Sequence, residues 1–396
     1  MDSSRAVIVA GAGIGGLTAA LALARQGLRV VVLEQAEQLE ETGAGIQLSP
    51  NASRILLQLG LGERLARDLA VAQEVTVTNA RSSRVLVRIP LGAAAEQRHG
   101  APYWIIHRGD LQAALREAVE AHPAVTLRLG ARVDDFAIHG SGMTVAAHSR
   151  AGTVEEDGGA LIAADGLWSR LRGRLGHREP PRFAGRSAWR ALVPADAVAL
   201  ELRAPAVRLW LGRGGHVVHY PVKAGRLINV VAIMGDDWRE SGWSTPVHRS
   251  EVLSRFDARS WRGPIREILS IPERWLKWAL YDSAPLPYWG RGPVTLLGDA
   301  AHPTLPYLAQ GAAMAIEDAA VLGQCFETEQ DAAAATRHYE RARLARTART
   351  QRAAHRTGAL YHMPGAAGLL RTITFAAVSG ERLLAHYDWL YGWKET

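Results

Sequence analysis

A chain of 396 residues exceeds the length at which a single core stops growing, so a large domain joined to a smaller one is expected, and 48% hydrophobic against 21% charged residues excludes a disordered chain. The formal charge of +7 rests on arginine, since lysine occurs only at Lys223, Lys277 and Lys394; arginines scattered without a basic run, zinc finger or RNP element exclude nucleic acid and suit small anionic ligands or a solvated surface. The one cysteine, Cys325, excludes a disulfide framework, a Cys-x-x-Cys metal site and a redox pair, and the start carries neither a signal peptide nor a membrane span, so no metal and a cytoplasmic setting are expected.

Arg5 to Ala10 is a short apolar run ending in Gly11, the pattern of a strand covered on both faces. Small and apolar residues from Ile14 to Gln26 predict a helix stopped by Gly27, and Arg29 to Glu34 reads as a second buried strand, giving a βαβ opening. The stretch from Glu41 to Asn51 is too rich in glycine for a regular element, and a helix to about Leu59 follows it. Asp110 is expected to cap a helix reaching about Ala121. Alternating runs from Val125 to Val154 suggest a β-meander, and Ala160 to Ala164 a central strand. From about Phe183 to Tyr288 the character changes, with strands expected at Val207 to Leu211, His216 to Val222 and Leu227 to Met234, and two short helices between Arg249 and Ile271. Val294 to Leu297 returns to a buried strand, and Gln310 to about Phe326 and Asp331 to about Arg356 predict long helices. The segments 1–180, 181–290, 291–360 and 361–396 are thus expected to be a nucleotide domain, a substrate domain, a return to the first, and a helical tail. The aromatic cluster from Tyr387 to Trp393 fits packing or a subunit contact better than a binding site, which leaves a homodimer open.

The loop Gly11-Ala-Gly13-Ile14-Gly15-Gly16 lies between strand and helix, where Gly11 permits a tight turn, Gly13 lets a pyrophosphate approach the backbone, and Gly16 allows the helix to pack on the sheet. Glu34, followed by Gln35, ends the second strand 18 residues after Gly16, placed to accept hydrogen bonds from a ribose. A strand also leads into Gly298-Asp299-Ala-Ala-His302-Pro303, and Gln310-Gly311-Ala312-Ala313 opens a long helix. A carboxylate at a strand end can bind a ribityl hydroxyl, while a helix N-terminus can face the pyrimidine edge of an isoalloxazine; NAD needs neither device. Ala164-Asp165-Gly166-Leu-Trp-Ser169-Arg-Leu-Arg172 reads as strand, turn and capped helix start, which places Asp165 near the same cofactor.

In order and spacing, GAGIGG, ADGLWSRLR and GDAAHP resemble the signatures of the single-component flavoprotein aromatic hydroxylases of the p-hydroxybenzoate hydroxylase fold. GAGIQLSPNASRIL, IHRGDL, GDAAHPTLPYLAQGAAMAIEDA and YDWLYGW look most similar to the 3-hydroxybenzoate 6-hydroxylase, salicylate 1-hydroxylase and 6-hydroxynicotinate 3-monooxygenase branch. The resemblance covers nearly the whole chain. It implies an α/β fold: a GR2-type Rossmann-like FAD-binding domain with an inserted mixed-sheet substrate domain and a helical C-terminal region. It also implies that Gly45, Ile46 and Arg108 contact FAD, that Asp299, Gly311, Ala312 and Ala313 line the flavin, and that NADH or NADPH reduces it without a Rossmann site of its own, O2 then forming a C4a-hydroperoxide.

In a strand, His216, Val218 and Tyr220 share one face and His219 points to the other, so His216 and Tyr220 can address one cavity. A phenol must lose its proton for the ring to attack an electrophilic oxygen, and a histidine with a near-neutral pKa is a suitable base. Members of this branch carry a similar H-x-x-x-Y-P pattern, which implies a catalytic His216 and Tyr220; without it His216 reads as a structural histidine. Gln47 departs from the histidine of the hydroxynicotinate enzymes and favours a hydroxybenzoate over a hydroxypyridine. Tyr307 and Pro306 are expected beside the substrate, with a packed loop tyrosine as the alternative. Arg190 and Arg213 could clamp a carboxylate, but nothing in the sequence aims them there, and surface roles are expected. A decarboxylating hydroxylase, an enzyme for larger aromatic substrates and a nucleotide-binding protein without turnover are the rival readings.

Overall fold

The strands Val7–Ala10, Val30–Leu33 and Ala160–Ala163 are buried at every position, which a sheet covered on both faces requires. The computed structural model, which describes residues 5–39, 44–140, 142–150, 152–240, 244–329 and 331–395, sets them in a six-stranded sheet. Its order is Gly290–Arg291, Val294–Leu296, Ala160–Ala163, Val7–Ala10, Val30–Leu33 and Val125–Arg128, with every neighbouring pair parallel except the first. Register places Ala10 beside both Ala163 and Leu33, and Ala163 beside Leu296, so the turns after these strands emerge at one edge. The helices Ile14–Arg25 and Gly311–Thr328 cover the sheet and are apolar almost throughout, as their buried position demands.

An eight-stranded mixed sheet runs in the order Thr245–His248, Arg274–Asp282, Arg182–Pro194, Leu227–Gly235, Gly215–Val222, Val207–Leu211, Glu74–Asn79, Val85–Pro90. Two of its strands thus come from residues 74–90, outside the 181–290 segment. One face packs Trp189, Val193, Val217 and Val230 against Val252, Phe256, Trp261 and Ile265, which belong to the helices Arg249–Arg255 and Pro264–Ser270 and the turn between them. Trp261 is fully buried there, and truncating such a side chain costs about 3–5 kcal/mol. The opposite face packs on the strand Trp104–His107 and on the C-terminal helices Gly365–Ala377 and Gly380–His386.

Several local expectations give way to tertiary pairing. Gly45–Leu48 is a strand despite its glycine, because it pairs antiparallel with Trp104–His107; residues 41–43 of that stretch lie outside the described residues. Asp110 sits in the first turn of the helix Arg108–Glu120 rather than capping it, and pairs with Lys223. Val125–Arg128 joins the parallel sheet, leaving Arg132–His139, Gly142–Ser149 and Gly152–Gly158 as the three-stranded meander. The strand Arg274–Asp282 and the extension of the long helix to Tyr361 had no clear local signal. Among the described residues, no helix is long and apolar enough to cross a membrane and no side-chain cluster could hold a metal ion.

Candidate active site

Three glycine-containing turns leave adjacent strands at the same sheet edge. The fit of Gly11 is tight: its φ is +108°, and an added Cβ would lie 2.5 Å from the Ala164 carbonyl oxygen, next to Asp165. A Cβ at Gly13 would meet nothing within 4 Å, so the loop backbone is open to a ligand at the N-terminus of the helix Ile14–Arg25. Ala12 N donates to Glu34 Oε2 at 2.6 Å and Ala36 N to Glu34 Oε1 at 2.9 Å, which fixes the carboxylate beside this loop. Gln35 next to it is exposed.

Asp165 Oδ2 accepts from Arg170 N at 2.9 Å and Leu171 N at 3.2 Å, while the buried Oδ1 has no partner in the protein. Arg172 links this turn to the next, donating to Leu167 O at 2.8 Å and Ala300 O at 3.2 Å. Burial lowers its pKa, opposed by Asp165 and Asp299. Asp299 opens onto the cleft, and Oδ1 would lie 3.9 Å from a Cβ at Gly311, at the start of the helix Gly311–Thr328. Its depth in the fold raises its pKa, against the pull of His302, Arg108 and Arg172. No acidic side chain occupies the first turn of that helix, where Gly311, Ala312 and Ala313 stand, so its N–H groups and positive end remain available to an electron-rich ligand edge. An open loop at Gly13, an unpartnered carboxyl oxygen at Asp165 and this helix start together fit a flavin dinucleotide.

A buried polar layer holds the turn in place. His302 Nε2 lies 2.6 Å from Asp318 Oδ2, Gly298 N donates to the same oxygen at 3.1 Å, and Arg343 bridges Asp318 and Glu317 at 2.7 Å each. Burial opposes ionisation of Asp318, yet His302 and Arg343 hold its carboxyl down at about 2. Asn51 joins Glu317 to Gln310 at 2.6 and 3.1 Å, tying the helix Pro50–Gln58 to the same layer.

The strand Gly215–Val222 presents His216, Val218 and Tyr220 on the face toward this cleft, whereas His219 lies behind the sheet, stacked on Trp210 at 6.2 Å. Tyr220 packs on backbone: a Cβ at Gly45 would fall 2.5 Å from its Cε2, and Gly45 N donates to Asn229 Oδ1 at 2.7 Å. Gln47 Oε1 accepts from Tyr103 at 2.9 Å, and its side chain also bonds Tyr220. Burial raises the Tyr220 pKa and Arg190 opposes it. Ile46 is half-buried between Gly45 and Gln47.

His216 Nδ1 lies 2.8 Å from His362 Nε2, and its ring meets Tyr307 edge-on at 5.7 Å. Tyr307 follows Pro306 on the turn that leads to Gly311 and is pushed up to about 12 by burial. The near-neutral histidine expected from sequence is not what the fold makes. Burial first, then His362, Arg186 and Arg371, hold the His216 pKa well below its ordinary value. Arg190 is not on the surface but faces Tyr220 and Arg108, whereas Arg213 is exposed. Sequence reasoning missed His362, Tyr103 and the linking role of Arg172; only Arg172 lay inside a quoted motif.

Residues 4–357 match the family described as FAD binding domain. The chain is 38% identical to 3-hydroxybenzoate 6-hydroxylase 1 of Aquipseudomonas alcaligenes over 98% of both chains. It is 39% identical to 3-hydroxybenzoate 6-hydroxylase of Klebsiella oxytoca, over 99% of this chain and 97% of that one. Among solved structures it is similar to Klebsiella pneumoniae HpxO complexed with FAD and uric acid, with a TM-score of 0.85 and 28% identity over 98% of this chain and 97% of that chain.

Proposed function

Because the chain belongs to the FAD-binding-domain family and binds FAD, we propose that it hydroxylates the ring of a small phenolic carboxylic acid of the 3-hydroxybenzoate type, with NADH or NADPH as reductant. The carrying observation is the single sheet face on which His216 and Tyr220 stand, with Tyr307, from the turn before Gly311, packed edge-on to His216.

Gly11, Gly13, Ile14, Gly15, Gly16, Glu34 and Gln35 would hold the dinucleotide end of FAD, and Asp165, Asp299, Gly45, Ile46, Arg108, Gly311, Ala312 and Ala313 the flavin end. Bound FAD, reduced by the nicotinamide and exposed to O2, supplies an electrophilic oxygen. The protein's own residues make the ring a nucleophile. With Nδ1 donating to His362 Nε2, the Nε2 of His216 is left to accept the phenol proton. Neutral in the folded protein, His216 is ready to accept, and the positive field of Arg186 and Arg371 that disfavours its imidazolium favours a phenolate beside it. Tyr220 bonds the Gln47 side chain; with the Gln47 amide NH2 as donor, the Tyr220 O–H is left to donate to that oxygen. Pro306 and Tyr307 close the pocket and keep water from the reacting carbon. Sole and buried, Cys325 suits a reducing, cytoplasmic setting.

Incubating the FAD-loaded protein with NADH or NADPH, O2 and 3-hydroxybenzoate or salicylate tests this reading. Formation of a ring-hydroxylated acid, 2,5-dihydroxybenzoate from 3-hydroxybenzoate, supports it. Nicotinamide oxidation that yields no hydroxylated product from any hydroxybenzoate rejects it.

A further inference from the structure

We propose that Arg190 anchors the carboxylate of the aromatic substrate, at the opposite end of the pocket from the histidine that takes the phenol proton. The inference deepens the functional reading above and rests on it.

The strand Arg182–Pro194 alternates: Trp189, Ala191 and Val193 enter the tryptophan-rich core, which turns Ala188, Arg190 and Leu192 to the other face. Pairing with the next two strands gives three successive rows, Ala188–Ile233–His216, Arg190–Val231–Val218 and Leu192–Asn229–Tyr220. Arg190 therefore stands on the same face as His216 and Tyr220, in the row between them. Ile233 and Asn229 in the flanking rows are buried, while Val231 and Val218 beside Arg190 are only half-buried, so the middle row is the part of this face open to a ligand. Two strand spacings and two residues of rise put the Arg190 and His216 Cα atoms roughly 12 Å apart, room for one benzene ring between the two side chains.

The guanidinium is held but not satisfied. It lies over the Trp278 ring at 4.8 Å, which sets its plane, while its buried Nε has no hydrogen-bond partner. Among the described residues no carboxylate pairs with it. Other arginines of the fold are engaged within the protein: Arg186 donates to Gly214 O, Arg172 to Leu167 O and Ala300 O, Arg343 binds Glu317 and Asp318, and Arg346 binds Glu317. A largely desolvated, unpaired cation is costly, and a planar carboxylate arriving on the ligand supplies the missing partner through paired N–H···O bonds. Burial lowers the Arg190 pKa and Arg108 adds to this, so an incoming anion relieves both.

The test titrates the FAD-loaded wild type, Arg190→Met and Arg190→Lys with 3-hydroxybenzoate and with 3-hydroxybenzamide, following the flavin absorbance change, and measures KM and kcat for the acid. The expected result is that Arg190→Met weakens acid binding by about 10- to 150-fold, the loss of a charged hydrogen-bond pair. Amide binding should change less than about 3-fold, Arg190→Lys should recover part of the loss, and FAD content should stay at the wild-type level. Equal acid affinity in wild type and Arg190→Met, or an equal loss for acid and amide, overturns the anchor while leaving the functional reading intact. A wild type that neither binds nor hydroxylates any hydroxybenzoate overturns both.

Discussion

His216 Nδ1 and His362 Nε2 lie 2.8 Å apart, joining the strand Gly215–Val222 to the end of the helix Ala332–Tyr361 across 146 residues of sequence. Each imidazole is kept neutral: burial pushes His362 down to about 3 and His216 well below its usual value. One nitrogen of the pair must donate and the other accept, and the base role of His216 requires that its Nδ1 donate to His362 Nε2, which keeps its own Nε2 free of a proton. His362→Phe removes that acceptor. Its expected effect is a fall in kcat of about 10- to 100-fold with FAD content unchanged, read by steady-state hydroxylation and flavin absorbance. Wild-type kcat would mean that tautomer choice does not matter.

The same field sets the pH dependence. His216 acts as a base only when neutral, and its pKa is depressed, so the acidic limb of the kcat profile falls below pH ~6.5. Arg186 is one of the positive neighbours that lower it. Arg186→Gln should therefore raise the His216 pKa and move that limb to higher pH. A limb that stays in place, or moves down, contradicts the assignment of His216 as the group that titrates.

Gly45 is in close contact with a pocket side chain: a methyl there would come within 2.5 Å of Tyr220 Cε2 and 2.8 Å of Asn229 Cγ. Gly45→Ala must displace the Tyr220 ring and with it the bond to Gln47. We expect a 10-fold or greater loss, about 1.4 kcal/mol or more, in kcat/KM for the phenolic acid, while nucleotide binding at Gly13 is preserved. Kinetics at saturating FAD would show it.

His219, behind the sheet, reports on stability rather than catalysis. Burial and Arg208 push it down to about 3, so it folds neutral and protonates on unfolding. A base whose folded pKa is depressed contributes its full stability above its unfolded value of about 6.5 and loses it as pH falls, on the order of 1.4 kcal/mol per pH unit. Thermal unfolding should move to lower temperature from about pH 7 to about pH 5, and His219→Phe should flatten that slope. An equal slope in the variant would assign the acid sensitivity elsewhere.

What could be read from sequence was local. The Gly11, Asp165 and Asp299 turns each declare themselves within a strand–turn–helix segment, and a period of two suffices to put His216 and Tyr220 on one face. The aromatic tail also reads correctly as packing, with Trp393 under Arg343 and Arg346 at 5.2 and 5.0 Å. What depended on register or on distant partners was hidden. Gly45–Leu48 becomes a strand only because Trp104–His107 lies beside it, and Arg190 turns inward only because Trp189 takes the opposite face. The depressed basicity of His216 comes from burial and from its neighbours His362, Arg186 and Arg371, which no local pattern of the H-x-x-x-Y-P segment encodes.

The central claim is that His216 takes the phenol proton in a FAD pocket. The most direct measurement is the rate of ring-hydroxylated product formation by FAD-loaded His216→Ala with 3-hydroxybenzoate and NADH or NADPH. The account predicts normal FAD content with hydroxylation reduced by 100-fold or more, within the range of about 10²–10⁴ that a positioned base supplies. A variant that hydroxylates at the wild-type rate would contradict it.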